Sequence, residues 1–242
     1  IIELKNAIKL APEHTSSRIL LAKTYLNLGD LTLAHKEISK AIQLGGRQGV
    51  TDNILARVLY LQQEFDEVIE LTSNSKPEPE INFYRGQSLI GTGRHKEGLG
   101  LLENSSINSL SNKFSQLSRA YFNYYSRNLE SATQEVQKII DKYALFPDGY
   151  FLLAFLESDK QNYEASILAY KKFNDIVPRY VLGKILLTDV LIKNKQYGPA
   201  EEEVDLLLNL NPSHPLFNQY KAIVNLASND FQTAKLHIEK SI

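Results

Sequence analysis

The sequence predicts an all-α fold built from repeated pairs of antiparallel helices, and three observations carry that prediction. Small residues recur in the apolar segments with a constant step of 34 residues that is once shortened to 30. Two further columns of residues keep the same phase, and each repeat contains two apolar stretches at helical spacing. Three columns that share one spacing and one four-residue deletion indicate a true internal repeat.

The three columns are named by their place in the repeat. The first small column is Ala22, Ala56, Gly86, Ala120, Ala154, Thr188 and Ala222. The second small column is Ala34, Val68, Gly98, Ala132, Ser166, Ala200 and Ala234. The turn column is Leu31, Phe65, His95, Leu129, Tyr163, Tyr197 and Phe231. Small side chains allow two helices to approach closely, so we expect both small columns to lie at helix–helix contacts.

The first complete unit shows how each element follows from the residues. One helical stripe is formed by Ile19, Leu20, Ala22, Tyr25 and Leu26, and the next by Leu33, Ala34, Ile38, Ala41 and Ile42. Between them, Gly29 supplies the permissive backbone that ends one helix, and Asp30 caps the next.

In this phase the units start near residues 15, 49, 79, 113, 147, 181 and 215, and residues 1–14 form the second helix of an earlier unit. About seven repeats plus one preceding helix are therefore expected in a single array over residues 1–242. The unit at 49–78 is short because the segment Ser73–Glu80 truncates its second helix, and we expect a local kink there. Both ends fall inside the pattern, which predicts that the chain is a fragment of a longer array.

The amino-acid composition argues against several classes of function. The chain of 242 residues has 27 Lys and Arg against 28 Asp and Glu, and this balance argues against a nucleic-acid partner. It contains no Cys, which excludes disulfides, thiol nucleophiles and Cys-based metal sites. The longest apolar run, Tyr150 to Leu156, is too short to span a membrane. A chain that opens on Ile1 and has no Met is interpreted as an excised piece.

These columns resemble the tetratricopeptide repeat, whose 34-residue helix–turn–helix units carry small residues at both contacts and a proline near the end. The matching prolines are Pro12, Pro178 and Pro212, and Gly46 takes that place in the first complete unit. The chain departs from the family late in the first helix, where the family's Tyr survives only as Tyr25. The resemblance implies a right-handed superhelical solenoid in which the first helices line a concave groove.

That groove is the predicted ligand-binding site. Its lining, read from the phase of the first helices, is Lys23, Asn27, Arg57, Tyr60, Phe83, Gln87, Leu117, Tyr121, Tyr124, Phe151, Phe155, Ile185 and Asp189, followed by Lys193. The middle is aromatic and the ends carry mixed charge, which suits a peptide with apolar anchors. Two alternatives stay open for Tyr121, Tyr124 and Phe155: neighbouring repeats bury them, or a second copy of the chain contacts them.

Other site chemistries fit poorly. The carboxylate clamp of chaperone-binding relatives is not expected, because Lys23 and Asn27 match fragments of it but Arg57 and Gln87 do not continue it. The five histidines are His14, His35, His95, His214 and His237, and none is paired with another at metal-ligand spacing. Glu201, Glu202 and Glu203 are interpreted as the solvated first turn of a helix, where they favour the helix dipole. We therefore expect no catalytic residues, no metal and no cofactor.

The leading prediction is a non-enzymatic interaction scaffold that binds a peptide or protein segment in the aromatic groove. Two alternatives remain: a self-assembling structural module, and the recognition arm of an enzyme whose catalytic domain lies outside this segment. A polysaccharide ligand is left open by the groove aromatics.

The stretch from Asn211 onwards also resembles the end of the bacterial tetratricopeptide lipoproteins that accompany PEP-CTERM/exosortase sorting systems. The residues that carry this resemblance are Pro212, His214, Pro215, Tyr220, Ala222, Asp230, Phe231 and Ala234. It implies a periplasmic scaffold in exopolysaccharide or protein sorting, held to the membrane by a lipid anchor upstream of Ile1. Without this resemblance, the expected location is the cytoplasm.

Overall fold

The computed structural model describes residues 1–108 and 112–241, and over these ranges the chain is built from helices and turns with no strand. The fold class is therefore all-α, as predicted. The helices are α1 (Ile2–Leu10), α2 (Thr15–Leu28), α3 (Leu31–Gln43), α4 (Val50–Leu61), α5 (Phe65–Thr72), α6 (Pro79–Gly91), α7 (His95–Asn108), α8 (Lys113–Tyr125), α9 (Leu129–Lys142), α10 (Pro147–Asp159), α11 (Tyr163–Ile176), α12 (Val181–Lys193), α13 (Tyr197–Leu210), α14 (Pro215–Ala227) and α15 (Phe231–Lys240).

The chain forms two compact units, Ile1–Gly149 and Tyr150–Ile242, called unit 1 and unit 2 below. In unit 1, α2 packs on α3, α6 on α7 and α8 on α9, and the first helices α2, α4, α6 and α8 contact one another in succession. In unit 2, α12 packs on α13 and α14 on α15, and α12 contacts α14. Each unit therefore stacks helix pairs in a repeat arrangement. The single array over 1–242 stays a prediction, and its last residue lies outside the described residues.

Both small columns lie at helix–helix contacts, as predicted. Every residue of the two columns is buried, and most of their alanines are completely inaccessible to solvent. A close approach joins α6 to α7, where a Cβ added to Gly98 would lie 2.6 Å from the carbonyl oxygen of Gly86. In unit 2, the Ser166 hydroxyl donates a hydrogen bond of 2.8 Å to the Ala154 carbonyl. The small side chains therefore bring the two backbones of each pair together.

The turn between the helices of a pair follows the predicted chemistry. Gly29 adopts the left-handed conformation with a φ of 82°, and the Asp30 side chain accepts a hydrogen bond from the Leu33 amide at 3.3 Å. The Asp30 amide then donates to the Tyr25 carbonyl at 2.9 Å, which satisfies a free carbonyl at the end of α2. The same conformation recurs in the other repeats at Gln63, Gly93, Arg127, Gln161, Lys195 and Asn229.

The short second helix of the 49–78 unit is confirmed. Helix α5 spans only Phe65–Thr72, and α6 begins at Pro79 after an irregular segment. A proline at the start of α6 suits the first turn of a helix, where a missing amide hydrogen costs nothing. The kink expected at this place stays a prediction.

Candidate functional site

The first helices of unit 1 enclose a cavity of about 300 Å³, called the first cavity. Helix α2 contributes Lys23, Leu26 and Asn27, helix α4 contributes Val50, Asn53, Ile54 and Arg57, and α6 contributes Glu80. Lys23, Asn27 and Arg57 are predicted groove residues, so the structure brings three of the predicted lining residues into one cavity. The lining therefore combines these polar groups with apolar side chains of α2 and α4.

A second cavity of about 500 Å³, called the loop cavity, adjoins the first and shares Val50 and Asn53 with it. It lies between the α3–α4 and α5–α6 connections. Its remaining lining is Arg47, Gln48, Gly49, Asp52, Asn74, Ser75, Lys76, Glu78 and Ile81. Sequence reasoning missed this cavity, although the four-residue deletion marks the same place. The shortened α5 leaves a connection that faces Gly49 and its neighbours.

One wall of the first cavity is held by an ion pair across unit 1. Arg57 Nη2 lies 3.2 Å from Asp148 Oδ2, and 17% of the Arg57 side chain and 11% of the Asp148 side chain are exposed. The hydroxyl of the fully buried Tyr84 lies beside the guanidinium but outside good hydrogen-bond geometry. Burial alone would lower the pKa of Arg57, but Tyr84, Asp148 and Glu80 raise it above its ordinary value. Arg57 is therefore a fixed cation whose position is set by α4 and the start of α10.

Glu80 is the carboxylate of the first cavity that has no direct partner. Among the described residues, none forms an ion pair or a hydrogen bond with its side chain, which is partly buried. Burial raises the pKa of Glu80 above its ordinary value, and the charges of Asp148 and Glu78 act in the same direction. Arg57 and Lys113 oppose this rise in the Glu80 pKa, but both are engaged elsewhere. Lys113 Nζ lies 4.6 Å from the ring centre of Phe146.

Glu80→Gln is expected to raise the free energy of unfolding at neutral pH. The raised pKa of Glu80 means that folding favours its protonated form, so its contribution to stability is present at low pH and is lost as the pH rises through that pKa. The advantage of the variant should therefore shrink on acidification. Urea unfolding of both proteins across this pH range measures it, and the exposed Glu70→Gln is the matched control. An equal loss of stability at every pH would contradict this account of Glu80.

The predicted aromatic middle of the groove is largely the core of unit 1. Phe83 is 1% exposed and Leu117 is 0% exposed, and Phe83 contacts the rings of Tyr60, Tyr84, Phe114 and Tyr121 at centroid distances of 5.1 to 6.4 Å. Tyr121 is 8% exposed, so the alternative in which neighbouring repeats enclose it describes its position here. Tyr60 and Tyr124 stay partly exposed at the edge of this cluster. Most of these rings therefore belong to the core of unit 1 and do not line the first cavity.

Gln87 is also enclosed, at 4% exposure. Its carbonyl oxygen accepts a hydrogen bond of 2.7 Å from the Tyr125 hydroxyl, and its buried amide nitrogen makes no hydrogen bond. Burial raises the pKa of the Tyr125 hydroxyl, with a smaller contribution from Tyr124. Gln87 therefore fixes the orientation of a tyrosine and presents little surface to a ligand.

The remaining predicted site residues lie in unit 2 and are partly exposed. Phe151 and Phe155 pack edge to face at 5.0 Å, and Phe151 also contacts the ring of Phe173 at 5.1 Å. Ile185 and Asp189 lie on α12, where Asp189 pairs with Lys193 at 2.6 Å. The role of these four predicted residues in ligand binding stays a prediction.

The other candidate chemistries are occupied by structural contacts. His14 bonds to Ser17, His35 to Gln62 and His237 to Asn218, at 2.8 to 3.0 Å. Within residues 1–108 and 112–241, no three His, Asp or Glu side chains form a group that could hold a metal ion. The acidic run was expected in the first turn of a helix, but α13 begins at Tyr197 and has no acidic residue in its first turn, so that prediction was wrong. Glu201 accepts a hydrogen bond from Lys221 at 2.9 Å and is ion-paired with α14 as well as partly solvated. None of the helices in the described ranges has the length and apolarity needed to cross a membrane.

Comparison with known proteins bears on the fold. No family model and no curated protein matches the chain. Among solved structures, MamA from strain MSR-1 aligns over 67% of this chain and 94% of its own, at 15% identity and a TM-score of 0.56. A tetratricopeptide repeat protein from Parabacteroides merdae ATCC 43184 aligns over 94% of this chain and 91% of its own, at 15% identity and a TM-score of 0.52.

A third structure, the APC/C hetero-tetramer Cut9–Hcn1, covers 98% of this chain and 54% of its own, at 12% identity and a TM-score of 0.50. At these identities the similarity concerns the fold. Together with the buried small columns and the repeated turns, it shows that the chain has the tetratricopeptide-repeat fold.

Proposed function

We propose that the chain is a protein-interaction scaffold that holds a peptide segment in the first cavity and the adjoining loop cavity. The observation that carries this proposal is the convergence of Lys23, Asn27 and Arg57 on one cavity with an apolar floor. Charged and amide groups fix the direction and register of a bound chain, and the apolar floor supplies burial. The tetratricopeptide-repeat fold supports the proposal, because repeat stacking presents extended binding surfaces.

The polar groups suit a polypeptide in particular. Asn27 and Lys23 are exposed, and within the described part of the chain neither has a hydrogen-bond or ion-pair partner, so both are free to bind a ligand. Asn53 lies where the two cavities meet and donates from its side-chain amide to Glu78 at 3.2 Å. Side-chain amides match the donors and acceptors of a peptide backbone without selecting its side chains. The site is already shaped by helices, so binding requires little ordering of the scaffold.

Selection of linear peptides from a random display library against the whole chain tests the proposal. Selected peptides should bind Asn53→Ala about fivefold or more weakly than the wild type, since one or two hydrogen bonds are lost. Asn209→Ala is the matched control, because this exposed asparagine lies on α13 of unit 2. The proposal fails if no peptide is selected, or if the selected peptides bind both variants with equal affinity.

The predictions about catalysis, self-association and the cellular pathway rest on the sequence. We propose that the chain acts without catalysis, and the engagement of His14, His35 and His237 in structural hydrogen bonds supports this. Self-association through Tyr124 or Phe155 stays an alternative to ligand contact. The link of the stretch from Asn211 to PEP-CTERM/exosortase systems also stays a prediction, which none of the similar structures supports.

A further inference from the structure

We infer that the first cavity recognises a basic side chain of the bound segment, and that Glu80 is the residue that pairs with it. This inference rests on the proposed function and names the chemistry of its ligand: a lysine or arginine within an extended peptide. Glu80 lies in the first turn of α6 and lines the cavity together with Asn53 and Arg57. A basic side chain of a ligand that enters the first cavity therefore comes close to the Glu80 carboxylate.

The charges around Glu80 leave one carboxylate in excess. The charged groups that act most strongly on it are Arg57 from α4, Lys113 from the start of α8, Asp148 from the start of α10, and Glu78 at the start of its own helix. Arg57 is paired with Asp148 at 3.2 Å, and Lys113 lies over the rings of Phe146 and Phe114 at 4.6 and 5.2 Å. Two cations thus face three carboxylates, and a basic side chain of a ligand completes the balance.

Lys23 does not supply that missing cation within the fold. It lies on α2, whereas Glu80 lies on α6, and α4 stands between these two helices with contacts to both. Adjacent packed helices are about 8–10 Å apart, so the axes of α2 and α6 are separated by more than one such distance, and the described residues show no ion pair between Lys23 and Glu80. Lys23 and Glu80 therefore present opposite charges from the two sides of the cavity. This arrangement favours a ligand whose basic residue lies toward α6 and whose acidic group lies toward α2.

An unpaired, partly buried carboxylate lowers stability unless a ligand uses it. Glutamine has nearly the same size and would remove that cost, yet the chain has glutamate at this position. Perturbed carboxylates in a cleft are common at functional sites, and here the cleft, the missing partner and the neighbouring ion pair coincide. The fold thus holds the Glu80 carboxylate in the cavity, where it can bind a cation.

Ethylguanidinium, with butyrate as the anionic probe, tests the inference on the full chain. The methyl resonance of Ile54, which lines the first cavity, should shift saturably with ethylguanidinium, and the methyl of Ile223 in unit 2 should not. Affinity should fall about tenfold or more in Glu80→Gln and stay unchanged in the exposed Glu70→Gln. Binding should also weaken as the pH falls through the raised pKa of Glu80. Butyrate binding should instead depend on Lys23.

Two results would overturn the inference: no saturable shift at Ile54, or binding that Glu80→Gln leaves intact. Circular dichroism and the unfolding curve of Glu80→Gln show that the variant is folded, so a loss of binding reports the site. Failure here is distinguishable from failure of the proposed function. Peptides that depend on Asn53 but tolerate Glu80→Gln would keep the scaffold and remove the basic-residue preference. If ethylguanidinium bound at Glu80 but no peptide could be selected, the cation site would stand and the peptide-scaffold proposal would fail.

Discussion

Gly98→Ala is expected to lower the free energy of unfolding by about 2 kcal/mol, although alanine favours helices more than glycine does. The added Cβ would lie 2.6 Å from the Gly86 carbonyl oxygen and 2.6 Å from Ile90 Cγ1. The first of these atoms belongs to the backbone of α6 and has no rotamer to escape into. The helices α6 and α7 must therefore separate, and buried packing is lost on both.

Gly100→Ala is the matched control on the same helix. A Cβ at Gly100 meets nothing within 4 Å, so only the helix propensity changes. This variant should gain about 0.5–1 kcal/mol in the free energy of unfolding. Urea unfolding of both variants measures the two signs in one experiment. If Gly98→Ala were as stable as Gly100→Ala, the two small columns would not form the helix contact.

Ala154→Trp is expected to destabilise the chain by about 3 kcal/mol or more, because overpacking a closed contact forces the helices apart. Ala154 is 0% exposed, and its carbonyl accepts the Ser166 hydroxyl at 2.8 Å, so the first small column faces the second there. The native chain contains no tryptophan, so the new side chain also serves as a fluorescent reporter of its own burial.

Leu168→Trp is the control for size and for fluorescence. Leu168 lies in the same unit on α11 and is 68% exposed. Its replacement should change stability by about 0.5 kcal/mol or less. A silent Ala154→Trp variant with a red-shifted, solvent-exposed tryptophan would mean that the assigned phase of the repeat is wrong.

The sequence predicted the fold well because one constraint recurs in every repeat. Each first helix must approach a second helix closely, so small residues mark that contact, as Gly86 and Gly98 show. The turn after it was harder to predict beyond the first unit. Arg127, Gln161 and Lys195 adopt the left-handed backbone that sequence reasoning assigns to glycine. There the hydrogen bonds that close the helix outweigh the local strain, a balance that no single residue reveals.

The candidate site was predicted only in part. Helical phase placed Lys23, Asn27 and Arg57 on the face that lines the first cavity, but it could not tell a lining residue from a core residue on that face. Phe83 and Leu117 share the phase and are buried, since neighbouring first helices in unit 1 lie close enough to enclose them. Glu80 was not among the predicted site residues, because the charges around it come in part from Asp148, which is distant in sequence and engages Arg57.

The most direct test of the central claim is the location of a selected peptide on the folded chain. A spin label attached to the peptide broadens the methyl resonances near it, and the isoleucines of the chain report the position. We expect strong broadening at Ile54, in the first cavity, and none at Ile223 of unit 2. Broadening confined to unit 2, with Ile54 unchanged, would contradict the assignment of the binding site to unit 1.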